Sequence, residues 1–186
     1  MGHSTYPWYT VTTGGDLEQG DILTGCPVFR APEDLSTDVL ERARSGSDTP
    51  GIRFDFQTFD IIVLSQTCDL VNKKLRDVLL CPLFTEDDFE RGQTFSMDRD
   101  WENARQGRYP AYHVVNACEI PEFESKPRII DFKSVVSLPV GFLRNFAVQQ
   151  GPRVRLMPPY REHLSQSFAR FFMRVGLPVD IPSFIK

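Results

Sequence analysis

No apolar stretch in this 186-residue chain approaches the ~18–20 residues that a membrane-crossing helix needs. The first residues, Met-Gly-His-Ser-Thr-Tyr-Pro-Trp-Tyr, include neither a basic leader region nor an apolar one, so no signal peptide is expected. Positive charge is not in excess either. The net charge is −4, which argues against nucleic acid or an anionic membrane as the general partner, because both select basic surfaces. Cysteine is sparse: Cys26, Cys68, Cys81 and Cys118 stand singly, without a Cys-x-x-Cys pair. That spacing is unlike a secreted disulfide framework and fits reduced thiols in a cytoplasmic protein. Internal repeats and low-complexity tracts are missing as well.

What the chain does have is ring-rich apolar material. Hydrophobic residues make up 41% and charged residues 25%, the balance of a globular protein rather than a disordered one. Fifteen phenylalanines supply the core, each worth roughly 1.5–3 kcal/mol when fully buried. Two local basic clusters, Lys73, Lys74 and Arg76, and Arg153, Arg155 and Arg161, are expected in solvated loops and at strand ends.

Apolar patterning predicts a mainly β, α+β chain folded as one domain over residues 1–186. Trp8–Thr13 reads as a strand, and Leu23–Arg30 as a second, with Pro27 marking an edge or a bulge. Residues 31–51 are polar and read as an exposed excursion with a short helix at Thr37–Arg44. Ile52–Phe56 alternates as a half-buried strand does. Phe59–Ser65 is continuously apolar after Asp60, and Leu75–Phe84 repeats the pattern in Val78-Leu-Leu-Cys-Pro-Leu83, the mark of central strands covered on both faces, with Pro82 ending or bending the second. Helical pieces are expected at Glu86–Gly92 and Met97–Gln106, within an insertion at 86–107, and one or two helical turns at Pro139–Phe146. Short strands are expected at Tyr112–Val115, Arg128–Phe132, Val135–Leu138 and Val154–Met157. A C-terminal extension, 158–186, opens with an amphipathic helix: Leu164, Phe168, Phe171, Phe172 and Val175 recur at three- and four-residue steps, and Gly176 and Pro178 supply the stop.

Three blocks, Gln19-Gly-Asp-Ile22, Val63-Leu-Ser-Gln66 and Val78-Leu-Leu-Cys-Pro-Leu83, occur in an order that resembles the PemK/MazF-like family of small RNA-cleaving toxins. The resemblance covers about residues 17–85. It implies an SH3-like barrel core, about 8–138 here, and a place in a bacterial toxin or phage-defence module. The family commonly has an Arg-Pro before its Val-Leu-Ser strand, and that arginine assists phosphodiester cleavage. This chain has Thr58-Phe-Asp60 instead, and Asp60 would repel a phosphate. The resemblance therefore implies the fold more strongly than the nuclease. The Ser-Gln-Thr-Cys-Asp pattern also resembles uncharacterised bacterial proteins that share it.

Ser65-Gln-Thr-Cys-Asp69 places five polar or reactive side chains where a rigid strand ends. Three readings follow. Cys68 could be a nucleophile in a thiol-dependent hydrolase, with His113 as base and Asp69 or Asp21 orienting the imidazole. Cys68, Cys81, His113 and Cys118 have the ligand types of a zinc site but not its spacing. Alternatively Ser65, Gln66 and Thr67 satisfy backbone groups at the strand end, Asp69 caps a turn, and Cys68 is a small buried side chain. Asp21, after Gly20, suits either a turn or a pocket. The preferred expectation is a binding or accessory protein with a polar pocket at Asp21, Ser65, Gln66, Thr67, Cys68 and Asp69. It would need no cofactor and would take a protein partner or small ligand rather than nucleic acid. A homodimer is compatible with the barrel edges, and altered RNA cleavage is the enzymatic alternative.

Overall fold

The computed structural model describes residues 6–30, 37–46, 55–87 and 97–173. The apolar run Ile61–Leu64 exists because both of its faces are covered. Its first three residues end β3 (Asp55–Val63), which lies between β2 (Ile22–Arg30) and β4 (Asp77–Thr85). Ile61 and Val63 enter a core with Leu23, Val28, Val78 and Leu80. Ile62 and Leu64 enter a second core with Cys81, Leu83 and Ile130. Successive side chains of a strand point to opposite faces, so a run with no polar member needs two covered faces.

The larger sheet is antiparallel throughout, in the order β2-β3-β4-β6-β5, with β5 at Tyr112–Val115 and β6 at Arg128–Asp131. A further strand, β7 (Val136–Pro139), also pairs with β4. Along its length β4 changes partner: Asp77–Leu80 face β7, whereas Leu83–Thr85 face β6. Pro82 falls in the gap between these two ladders, and the strand continues through it rather than ending there. A residue without an N–H is tolerated where one partner has left and the next has not begun. In β2, Pro27 lies on an edge as expected, just past a bulge between Leu23 and Cys26.

A second, two-stranded ribbon pairs β1 (Tyr9–Thr12) with β8 (Arg153–Leu156). Gly20 and Asp21 tie ribbon to sheet. The Gly20 N–H donates to Val63 O (2.9 Å), the Val63 N–H to Asp21 O (2.9 Å), and the Leu156 N–H to Gly20 O (3.0 Å). Gly20 has φ +87°, and a Cβ there would stand 2.9 Å from Leu156 Cβ, so only glycine allows the approach. Neither sheet closes on itself among the described residues.

Helices cover both faces. On one, α2 (Thr67–Val71) buries Leu70, and α4 (Val140–Gln150) buries Leu143 and Ala147. The latter is longer than the expected one or two turns. On the other, α5 (Tyr160–Phe172) sets Leu164 fully inside, with Phe168 edge-on to Phe132 at 5.4 Å between centroids. The expected stop at Gly176 and Pro178 lies outside the described residues. So do most of Glu86–Gly92, the start of the Ile52–Phe56 strand, and all of the 31–51 excursion except α1 (Thr37–Arg44) and the turn after it. A remaining helix, α3 (Met97–Arg105), packs Ala104 against Tyr112 and Ile129. The architecture is thus mainly β within an α+β class. Among the described residues no helix is long and apolar enough to cross a membrane.

Candidate functional site

At the end of β3 the chain enters α2 at once, and most of the Ser65–Asp69 side chains are engaged in holding that transition. Ser65 Oγ accepts from the Leu79 N–H (2.9 Å), and Thr67 Oγ1 accepts from the Gln19 N–H (3.2 Å). Buried Gln19 in turn donates from Nε2 to Leu64 O (2.8 Å). Gln66 reaches Ser165 Oγ on α5 (3.4 Å), and Asp69 pairs with Lys74 (3.4 Å). Cys68 is exposed rather than buried, with a free thiol.

Asp21 lies elsewhere in the chemistry. It is fully buried, as is Arg153. Arg153 donates from Nε and Nη2 to Asp21 Oδ2 (3.0 and 2.9 Å), from Nη1 to Gly14 O (2.7 Å), and from Nη2 to Asp16 O (2.9 Å). Arg155 grips the other carboxylate oxygen, Oδ1, and also pairs with Glu18; Arg161 stands 3.5 Å from Glu18. The basic cluster expected in solvated loops and at strand ends is instead the inner half of an ion-pair network. Alternation along Arg153-Val-Arg-Leu156 was the available signal: arginines one residue apart share a face of β8, and that face meets Asp21. Asp21 is consumed by this network and offers no free oxygen to a pocket.

His113 lies on β5, the sheet edge opposite β2. It is half-buried and stacks near Phe132, centroids 6.3 Å apart. The protein packed around the ring disfavours its charged form and pushes its pKa down to about 4, with His163 acting in the same direction. His113 is therefore neutral at pH 7. It lines a cleft of about 290 Å³ with Arg105, Gln106, His163, Gln166, Ser167 and Arg170. The walls come from the end of α3, from β5 and from one face of α5: residues 163, 166, 167 and 170 recur at helical spacing.

Cys68 and His113 do not meet. No hydrogen bond joins them, and Cys68 is not part of the cleft wall. Both neighbourhoods touch α5, but at Ser165 for the Cys68 segment and at His163 for His113. Two residues along a helix is a rotation of about 200°, which puts the two contacts on opposite sides. Asp69, tied to Lys74, orients neither. Nor do Cys68, Cys81, His113 and Cys118 form a ligand set. Among the described residues no three His, Cys, Asp or Glu side chains are grouped to hold a metal. Cys81 and Cys118 lie in the apolar core, and burial raises the Cys81 thiol pKa well above its ordinary value.

Asp60 does have a cation beside it, from β6 rather than from its own strand: Arg128 Nη1 lies 3.3 Å from Asp60 Oδ2. The pair spans sixty-eight positions of sequence, so reading the flanking residues could not reveal it. In comparisons with known proteins, no family model and no curated sequence matched the chain.

Proposed function

We propose that the chain is a cytoplasmic binding or accessory protein whose ligand is a small anion, carrying a phosphate or a carboxylate, held in the cleft between α3, β5 and α5. One observation carries this reading. The cleft is lined by two arginines, two histidines, two glutamines and a serine, and by no Asp or Glu side chain. Arg105 is already held by Glu102, with Nε and Nη2 each 2.7 Å from a carboxylate oxygen. Among the described residues of the cleft wall, Arg170 is the cation left to a ligand. Gln166 and Ser167 offer neutral donors, and neutral His113 offers one donor and one acceptor nitrogen. A space of about 290 Å³ suits a small molecule.

The reading keeps the expectation of a binding protein and moves the pocket from Ser65–Asp69, at the end of the central strand β3, to the β5 edge of the sheet. The PemK/MazF-like blocks support a role in a bacterial toxin or phage-defence module. The SH3-like barrel reading is supported by the core that ribbon and sheet share, Tyr9, Val154 and Leu156 with Ile22, Ile62 and Ile130, and by Tyr9 of β1 donating to Asn116 O, just past β5, at 2.7 Å.

The test is an NMR titration that follows the imidazole protons of His113 and His163 as inorganic phosphate and citrate are added separately. Saturable shifts at both rings, abolished in Arg170→Glu, are expected. Unmoved resonances at millimolar anion, or shifts that survive Arg170→Glu, would overturn the reading.

A further inference from the structure

Another cleft, of about 210 Å³, shares no lining residue with the first and is lined among others by Asp60, Glu122, Glu124, Ser125 and Arg128. One wall is the hairpin closed by Cys118 and Ser125, whose backbones exchange two 3.0 Å hydrogen bonds. Arg128 is only 7% exposed, yet its Nε has no hydrogen-bond partner, and neither does the buried Ser125 Oγ. A buried polar group left unpaired gives up the hydrogen bonds that water would have made to it. Here two such groups stand behind one cleft. The rest of the Arg128 guanidinium is committed, through Nη1, to Asp60 and lies close to the Tyr9 phenol.

The mouth of the cleft has the opposite character. Glu122 and Glu124 are exposed, and neither has a cation partner among the described residues. Asp60 is occupied: its Oδ1 accepts from the Gly25 N–H (2.9 Å) and its Oδ2 faces Arg128. A ligand that satisfies both ends needs an acceptor oxygen at its inner end and a cationic group at its outer end. A plain phosphate or carboxylate meets the glutamates unfavourably, and a plain amine leaves the two inner groups unpaired. An α-amino acid carries both groups in one small molecule.

We infer that this cleft binds a small zwitterion of the α-amino acid kind, its carboxylate accepting from Arg128 Nε and the Ser125 hydroxyl and its ammonium facing Glu122 and Glu124. Neither inner atom touches solvent, so the ligand enters as the Cys118–Ser125 hairpin swings outward. Its tip residue Glu122 has a left-handed backbone (φ 72°), a conformation that favours glycine over glutamate and eases such a shift.

The experiment is calorimetric and NMR titration of the full chain with each standard amino acid, with N-acetylglycine as the control that lacks the ammonium. Saturable heats with at least one amino acid are expected, with shifts at the Glu122, Ser125 and Arg128 amides and none from N-acetylglycine. Ser125→Ala and Glu124→Gln, neither of which removes a core contact, should each weaken binding by roughly fivefold or more. No binding by any amino acid, equal binding of N-acetylglycine, or unchanged affinity in both variants would overturn the inference. Arg170→Glu leaves this cleft intact, so failure here and failure of the anion site are separable.

Discussion

The Arg153 guanidinium lies wholly inside the protein with two of its nitrogens, Nε and Nη2, on a single oxygen of Asp21 at 3.0 and 2.9 Å. This contact joins β8 to the start of β2, and with it the two-stranded ribbon to the main sheet. A buried guanidinium is tolerated only when its donors are met, and the carbonyls of Gly14 and Asp16 complete the set.

Removing one partner should therefore cost far more than a surface pair would. Asp21→Asn leaves the Arg153 charge uncompensated and is expected to destabilise the chain by about 3–5 kcal/mol. Arg153→Met leaves Asp21 with Arg155 and should cost less. The double variant should lose less than the sum of the two. Urea unfolding of all four proteins measures the coupling, and strict additivity would show that the contact is energetically idle.

Gly20 provides a second check on the same junction. Gly14 and Gly20 both have positive φ, +81° and +87°, but a Cβ at Gly14 meets nothing within 4 Å whereas one at Gly20 meets Leu156 at 2.9 Å. Gly14→Ala should cost only the left-handed backbone penalty, about 1–2 kcal/mol. Gly20→Ala should cost distinctly more, because β8 must also move. Equal losses in denaturant midpoint would refute the close-approach account.

Much of this fold is visible in the residues themselves. The run Ile61–Leu64 announces a strand with two covered faces, Pro27 an edge, and the Leu164, Phe168, Phe171 spacing a core-facing helix; the structure has all three. The candidate site is less legible. Ser65–Asp69 attracts notice because its residue types are reactive, yet Ser65 and Thr67 accept backbone N–H groups at the strand end. Asp21 finds its partners more than a hundred residues away, and Asp60 finds Arg128 across β4. Side-chain meetings of that range depend on sheet order, and strand periodicity does not encode sheet order. His113 could be named from scarcity alone; its neighbours His163 and Arg170 depend on where α5 is laid.

His113 makes acid stability a measurable signature of that packing. Its pKa is pushed down to about 4 in the folded chain, against an unfolded value near 6.5. Between these values the unfolded state binds the extra proton, so the His113 contribution is fully present above pH 6.5 and is lost as the pH falls toward 4. The loss amounts to at most about 3 kcal/mol. Comparing urea unfolding at pH 7 and pH 5 in the wild-type chain and in His113→Gln isolates it from the carboxylates. The variant should show a shallower fall over that window, and parallel curves would contradict the assignment.

The thiols separate by environment in a way that bears on whether Cys68 is chemistry or surface. Burial pushes the Cys26 thiol up to about 12 and raises Cys81 as well, while Cys118 is also enclosed. Cys68 alone among the four is exposed. An Ellman-type disulfide reagent should therefore label one thiol in the native chain within minutes and the other three only on unfolding. Labelling of two or more thiols in the native chain would contradict these burials. Cys68→Ser should shift stability by no more than about 0.5 kcal/mol and leave anion binding at the His113 cleft unchanged, because the residue is not part of that cleft's wall.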